Sequence, residues 1–421
     1  MSLQDAATAT ARFGLGPVPG DLEHVAHDPR RWLLRQLRGV EEGPRGAHSR
    51  DLLTEASELR GDSKAVNSWG RAILKEQSQL ALEFSVATKR PLQERLVRFW
   101  SNALAVSAQR KEVVALAGSY EREAIRPNIA GRFEDLLLAT TRHPAMQLYL
   151  DNHRSTGPDS RRGRRRGIGL NENLAREVLE LHTLGVDGGY GQADVEALAA
   201  LLTGWGLRAG VGFEFDADRH QPGDKVLLGQ RFSEGEDGCI DALRMLARHP
   251  STARNHCRRL AVHLVDDDPA LELVDRLVAA WGEGDLTGVI EALLHEPAAW
   301  QPLRKVRSPQ ELVIATARAL PDESTTLLRA SVQSLRQPLW SPPSPAGWPD
   351  RAVDHTGPDA VLSRVQWCQR AAARAEPREA SAWARSLLGP LVGRGLDSAL
   401  TRNDDKTGMA LVLASPEFQR R

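Results

Sequence analysis

Apolar residues recur at intervals of three and four over most of the chain while alternating runs are scarce, so the pattern predicts a predominantly α, multi-helical globular body. The stripe starts at Leu33, Leu34 and Leu37. It continues through Arg95 to Trp100, Phe133 to Leu138, Val195 to Trp205, Leu271 to Trp281 and Val289 to Leu294, and well over ten helices are expected. The exception is 211–232, where Phe213-Glu214-Phe215 and Val226-Leu227-Leu228 flank Gln221-Pro222-Gly223, the pattern of one short β-hairpin projecting from the helical body. No repeat of fixed period appears and no spacing forces a boundary, so residues 1–421 read as a single integrated helical domain.

Two segments break the helical pattern. Ser155 to Gly169 sets Arg161, Arg162, Arg164, Arg165 and Arg166 among glycines, which reads as an exposed, mobile loop. Gln337 to Asp350 holds five prolines with Trp340 and Trp348, so it should be extended and pinned by its aromatics rather than helical.

Charge narrows the partners. Lys plus Arg number 55 and Asp plus Glu number 55, so no net field draws the whole molecule to nucleic acid or to an anionic membrane. The arginine cluster could grip phosphate, but no interleaved aromatic or helix-turn-helix pattern accompanies it, which argues against a nucleic-acid partner and leaves a small molecule or a protein. No apolar run approaches the roughly 20 residues that span a bilayer. The start, Met1-Ser2-Leu3-Gln4-Asp5-Ala6-Ala7, has neither the basic nor the apolar stretch of a signal peptide, and a cytoplasmic location is expected. Cys239, Cys257 and Cys368 are odd in number and far apart, the pattern of three buried thiols rather than of a disulfide framework or a zinc motif.

The run from Asn171 through Glu172-Asn173-Leu174-Ala175-Arg176-Glu177-Val178-Leu179-Glu180-Leu181-His182 to Tyr190 resembles the signature of the bacterial domain-of-unknown-function family numbered 1800. Ala11 to Gly16, Arg132 to Asp135, Leu148 to Asn152, Leu202 to Trp205 and Ser341 to Pro349 look like the same family, so the resemblance covers nearly the whole chain. It implies no known reaction. Where the family typically reads Trp-His-Asn-His-Phe, this chain has Trp100-Ser101-Asn102-Ala103-Leu104, which removes two imidazoles able to hold a metal or move a proton. Ser101 and Ala103 stand about 200° apart on a straight helix, so they should not face one ion in any case.

A straight helix over Asn173 to Leu184 places Asn173, Arg176, Glu177 and Glu180 on one narrow stripe opposite Leu174, Val178, Leu179 and Leu181. Glu177 and Glu180, one turn apart, could divide acid and base work or share a metal, or could simply form a solvated, salt-bridged face. His182 falls within the apolar side and reads either as a catalytic group or as a core histidine bonded to carbonyls or a carboxylate; His143, His153 and His220 are partners for it by type only. The turn Gly185 to Gly191 can cap the helix or cradle an anion at the next helix's N-terminus; it lacks a P-loop or dinucleotide fingerprint, so nucleotide binding is disfavoured and any cofactor is unknown. No metal is expected at Trp100 to Leu104, and a metal elsewhere would depend on Glu177 and Glu180. Two function classes remain: an enzyme of unassigned reaction with a carboxylate-lined cleft near residues 171–190, or a non-catalytic binding or accessory protein that has lost the family's paired histidines.

Overall fold

The computed structural model describes residues 2–59, 61–321 and 325–421. Among them stand 23 α-helices and only two small antiparallel sheets, as the three-and-four spacing predicts. Local chemistry sets many of the helix ends. Pro91–Ala103, Pro250–Leu264 and Pro309–Ala319 each begin on proline, whose missing N–H is one of the donors a helix start leaves unused anyway. Ser308 adds a capping box: its Oγ accepts from the Glu311 amide, and the Glu311 carboxylate accepts from the Ser308 amide at 2.7 Å.

Buried apolar side chains from Ala6 to Phe418 belong to one continuous cluster, so the same core backs every wall of the cavity described below. Cys239, Cys257 and Cys368 are free and buried within it.

The β-region corrects the single hairpin over 211–232. There are two hairpins, β1 (Trp205–Arg208) with β2 (Gly212–Phe215) and β3 (Lys225–Leu227) with β4 (Gln230–Phe232). Gln221-Pro222-Gly223 lies between the hairpins rather than at a hairpin tip. The second turn is Leu228-Gly229, with φ of 49° and 77°, the doubly left-handed geometry whose twist suits a two-residue hairpin. Trp205, expected to end a helix, opens β1 instead, because Gln192–Leu202 stops at Thr203 and Gly204 takes φ 83°.

The arginine run is also corrected. Arg161–Arg166 is a short helix, not a loop, because Ser160 accepts from the Gly163 amide at its start and Gly167 supplies the left-handed cap at its end. Arg161, Arg162 and Arg164 lie at 3.6, 3.1 and 3.9 Å from Asp218, Asp216 and Asp159. Residues 337–350 are irregular, as their prolines require.

Candidate functional site

Two helices present polar residues to a shared space at helical spacing. Arg95, Arg98, Phe99 and Asn102 follow the i, i+3, i+4, i+7 pattern on Pro91–Ala103; Asn255, Arg258, Arg259, Val262 and His263 do so on Pro250–Leu264. Both stripes line a cavity of about 550 Å³, closed by the first turn of Pro309–Ala319 and by the proline segment with Trp340 and Trp348. The opposite faces of both helices, with Leu92, Leu96 and Trp100 on one and Ala253, Cys257 and Leu260 on the other, enter the core.

The proline segment is fastened along its length. Asn102 pairs with the Trp348 backbone, its Nδ2 donating to the carbonyl at 2.9 Å and its Oδ1 accepting from the amide at 2.7 Å. Gly347 allows this approach: at φ 87°, a Cβ there would stand 2.4 Å from the Asn102 carbonyl oxygen. Farther along, the Ala108 amide donates to the Trp340 carbonyl at 2.8 Å, and Ser107 Oγ to that of Pro342 at 2.7 Å. The Trp340 indole donates to Oε2 of Glu121 at 2.8 Å, and Ser101 Oγ donates to the same oxygen at 3.0 Å. Glu121 opens the π-helical stretch Glu121–Ile125, a wide turn of the kind frequent at functional sites.

Charges form the far wall. Arg95 lies 2.5 Å from Glu311, which also takes Arg421 at 2.7 Å; Asp350 takes the Nδ1 of His263 at 2.7 Å and Arg421 at 3.3 Å. Lys305 joins through Asp267 at 2.5 Å and through the Asp350 carbonyl. Burial alone would raise both carboxyl groups, but Arg421 and Arg95 hold Glu311 well below its ordinary range, and His263, Arg421 and Lys305 depress Asp350. Burial lowers His263 against the pull of Asp350, which favours a neutral ring donating Nδ1–H to that carboxylate. The Nε2 of His263 is sealed and has no hydrogen-bond partner among the described residues.

Glu177, Glu180 and His182 are not among the residues that line this cavity. Asn173–Glu177 passes directly into the π-helical Val178–His182, so the 100° spacing of a straight helix fails beyond Glu177. Glu177 and Glu180 are both half-buried. Burial, then Glu180, raises the Glu177 carboxyl against Arg176. Arg176 pairs with Glu172 at 2.9 Å.

His182 does not join the two carboxylates. It is 1% exposed, and burial, reinforced by Arg259, pushes it down to about 3. Its Nε2 has no hydrogen-bond partner among the described residues, which corrects the fully bonded core histidine that the sequence suggests; its backbone carbonyl meets His256 Nε2 at 2.9 Å. His143, His153 and His220 serve local structure, with the Ala145 amide and the carbonyls of Gln147 and Thr203 at 3.1, 3.1 and 2.9 Å. Among the described residues no three His, Cys, Asp or Glu side chains gather as a metal site.

Ser101 and Ala103 both line the cavity, although a straight helix sets them far apart. Ala103 is the last residue of its helix, and at Leu104 the backbone leaves helical geometry (φ −117°, ψ 54°), so the cavity wraps around the final turn and meets both positions.

The chain belongs to the family of proteins of unknown function designated DUF1800, whose family model matches residues 8–420. No curated protein and no solved structure matches it. No helix among the described residues is long and apolar enough to cross a membrane.

Proposed function

We propose that the chain is a non-catalytic small-molecule-binding protein and that the cavity between Pro91–Ala103, Pro250–Leu264 and the proline segment is its ligand site. The observation that carries this is the cavity itself: about 550 Å³, within the range of small-ligand pockets, with Phe99, Trp340 and Trp348 set among mostly polar and charged residues. Aromatic walls favour a ligand with a flat apolar part. Ser101, already bonded to Glu121, and Ala103, with no polar atom, support binding over proton transfer at the positions where the family resemblance leads one to expect histidines. The continuous apolar core supports one integrated unit over residues 1–421. Ala346 lines the cavity yet is exposed, so Ala346→Trp should obstruct it without disturbing the core. Calorimetric titration with benzyl alcohol should show saturable binding to the wild type that Ala346→Trp abolishes; binding unchanged by the variant would place the ligand elsewhere.

A second reading, acid–base or metal chemistry at Glu177 and Glu180, draws support from the raised Glu177 carboxyl beside Glu180. Metal analysis of freshly purified protein tests its metal form: stoichiometric zinc, iron or copper that survives Glu177→Gln with Glu180→Gln would defeat it.

A further inference from the structure

Resting on the reading of the cavity as a ligand site, we propose that its ligand carries an oxyanion, a carboxylate or a phosphate, gripped side-on by Arg259 and assisted by Arg258. Five arginines line the cavity, and their hydrogen bonds and ion pairs separate them; Arg351 lies 3.9 Å from Asp268. Arg95 is turned into the wall: Nε donates to the Gly14 carbonyl at 2.7 Å, Nη1 meets Glu311, and Nη2 is sealed. Arg98 is likewise turned away, with Nη2 on Ser85 Oγ at 2.5 Å and Nε sealed.

Arg259 differs. Only Nη1 is used, donating to the carbonyls of Leu181 at 3.1 Å and Ala103 at 3.4 Å, where it also offsets the negative end of the Pro91–Ala103 helix. Its Nε and Nη2 make no hydrogen bond to the described residues and are not among the sealed polar atoms. That pair of nitrogens is one edge of the planar guanidinium fork, the edge that matches two oxygens of a carboxylate or phosphate. Burial lowers Arg259 to about 10, which still leaves it cationic at neutral pH.

The cavity carboxylates do not fill this edge, because each is held from behind. Glu121 is occupied by Ser101 and Trp340, Glu311 by Arg95 and Arg421, Asp350 by His263 and Lys305, and the exposed Asp354 accepts from the Arg351 amide at 3.3 Å. Arg258, the preceding residue on the same helix, is exposed, lines the cavity and has no ion-pair partner among the described residues. A cationic edge beside the aromatic residues of the cavity, near enough to Asp350 to feel its charge but hydrogen-bonded to none of the cavity carboxylates, is complementary to an aromatic acid or an aryl phosphate.

Titration at low ionic strength with benzyl alcohol, benzoate and phenyl phosphate tests this. The wild type should bind at least one of the two anions about tenfold or more tighter than the neutral alcohol, and the tighter one identifies carboxylate or phosphate as the group recognised. Arg259→Gln should reduce anion binding to the level of the alcohol, with Arg259→Lys intermediate because it keeps the charge but loses the fork. Arg258→Gln alters an exposed side chain and should weaken anion binding severalfold at an unchanged melting temperature, so it decides the matter if the Arg259 variants do not fold. Equal affinity of the wild type for all three probes, or an anion preference that persists in a folded Arg259→Gln or is untouched in Arg258→Gln, would overturn the oxyanion site. Alcohol binding that ignores Ala346→Trp would instead overturn the cavity as the ligand site.

Discussion

Asp350 accepts the Nδ1 hydrogen of His263 at 2.7 Å across 87 positions of sequence, tying the end of the proline segment to the helix that carries Arg258 and Arg259. Arg421 stands behind the pair, 3.3 Å from Asp350 and 2.7 Å from Glu311. The cavity wall is therefore held by ionic contacts as well as by apolar packing.

Glu311→Gln should be strongly destabilising. It leaves the buried Arg95 and Arg421 without their shared carboxylate, and breaking one side of a buried ion pair costs about 3–5 kcal/mol. The expected outcome is a large drop in the urea midpoint; a change of a few tenths of a kcal/mol would show that the cluster contributes little.

Stability should fall with acidification well before the carboxylates titrate. His182 and His256 are both held near 3 by burial, below an unfolded value of 6.5, so between these limits the unfolded chain binds protons that the folded chain does not. Stability present in full above pH 6.5 is therefore lost as pH drops through that window, by on the order of 1–2 kcal/mol per ring at pH 5. Glu311 and Asp350, depressed when folded, extend the loss below their ordinary values of 4.5 and 3.8. Urea titrations at pH 7.5 and 5.0 measure this, and His182→Leu should flatten the slope; a slope identical to wild type would mean that His182 is not a neutral buried ring.

Trp340→Phe should loosen the proline segment, since it removes the indole donor to Glu121 and leaves that carboxylate with Ser101 as its nearest hydrogen-bond donor. A loss of about 1–3 kcal/mol is expected, with faster amide exchange at Ala108, whose amide donates to the Trp340 carbonyl. Unchanged exchange there would show that the segment is fastened elsewhere.

The arginine helix should matter little to stability. Arg161 and Arg164 are exposed and lie 3.6 and 3.9 Å from their carboxylates, so Arg161→Gln with Arg164→Gln should move the unfolding free energy by less than about 1 kcal/mol. A larger loss would mean that this short helix is part of the structural frame.

The helices were legible in the sequence because apolar spacing acts locally, as in Pro91–Ala103 and Leu271–Trp281. β1 was not, since Trp205 and Leu207 continue the apolar run of Gln192–Leu202 and only Gly204 marks the break. The wide turn at Val178–His182 was equally hidden, because apolar spacing does not distinguish an α from a π turn over five residues.

The cavity was harder still to read, being assembled from segments such as Asn102 and Trp348, 246 positions apart. Glu177 and Glu180 attracted attention because they sit in the most recognisable run of sequence. The signal that was present lay in the polar spacing of Asn255, Arg258, Arg259 and His263 opposite Ala253, Cys257 and Leu260, a stripe too polar for the core on a helix with an otherwise buried face.

A crystal structure of the wild type grown with millimolar phenyl phosphate would put the cavity to the plainest test. The ring should lie against Trp340 and Trp348, with two phosphate oxygens on Nε and Nη2 of Arg259. A cavity left empty at saturating phenyl phosphate and again at saturating benzoate, or the ligand bound at another surface, would contradict the assignment of this space as the ligand site.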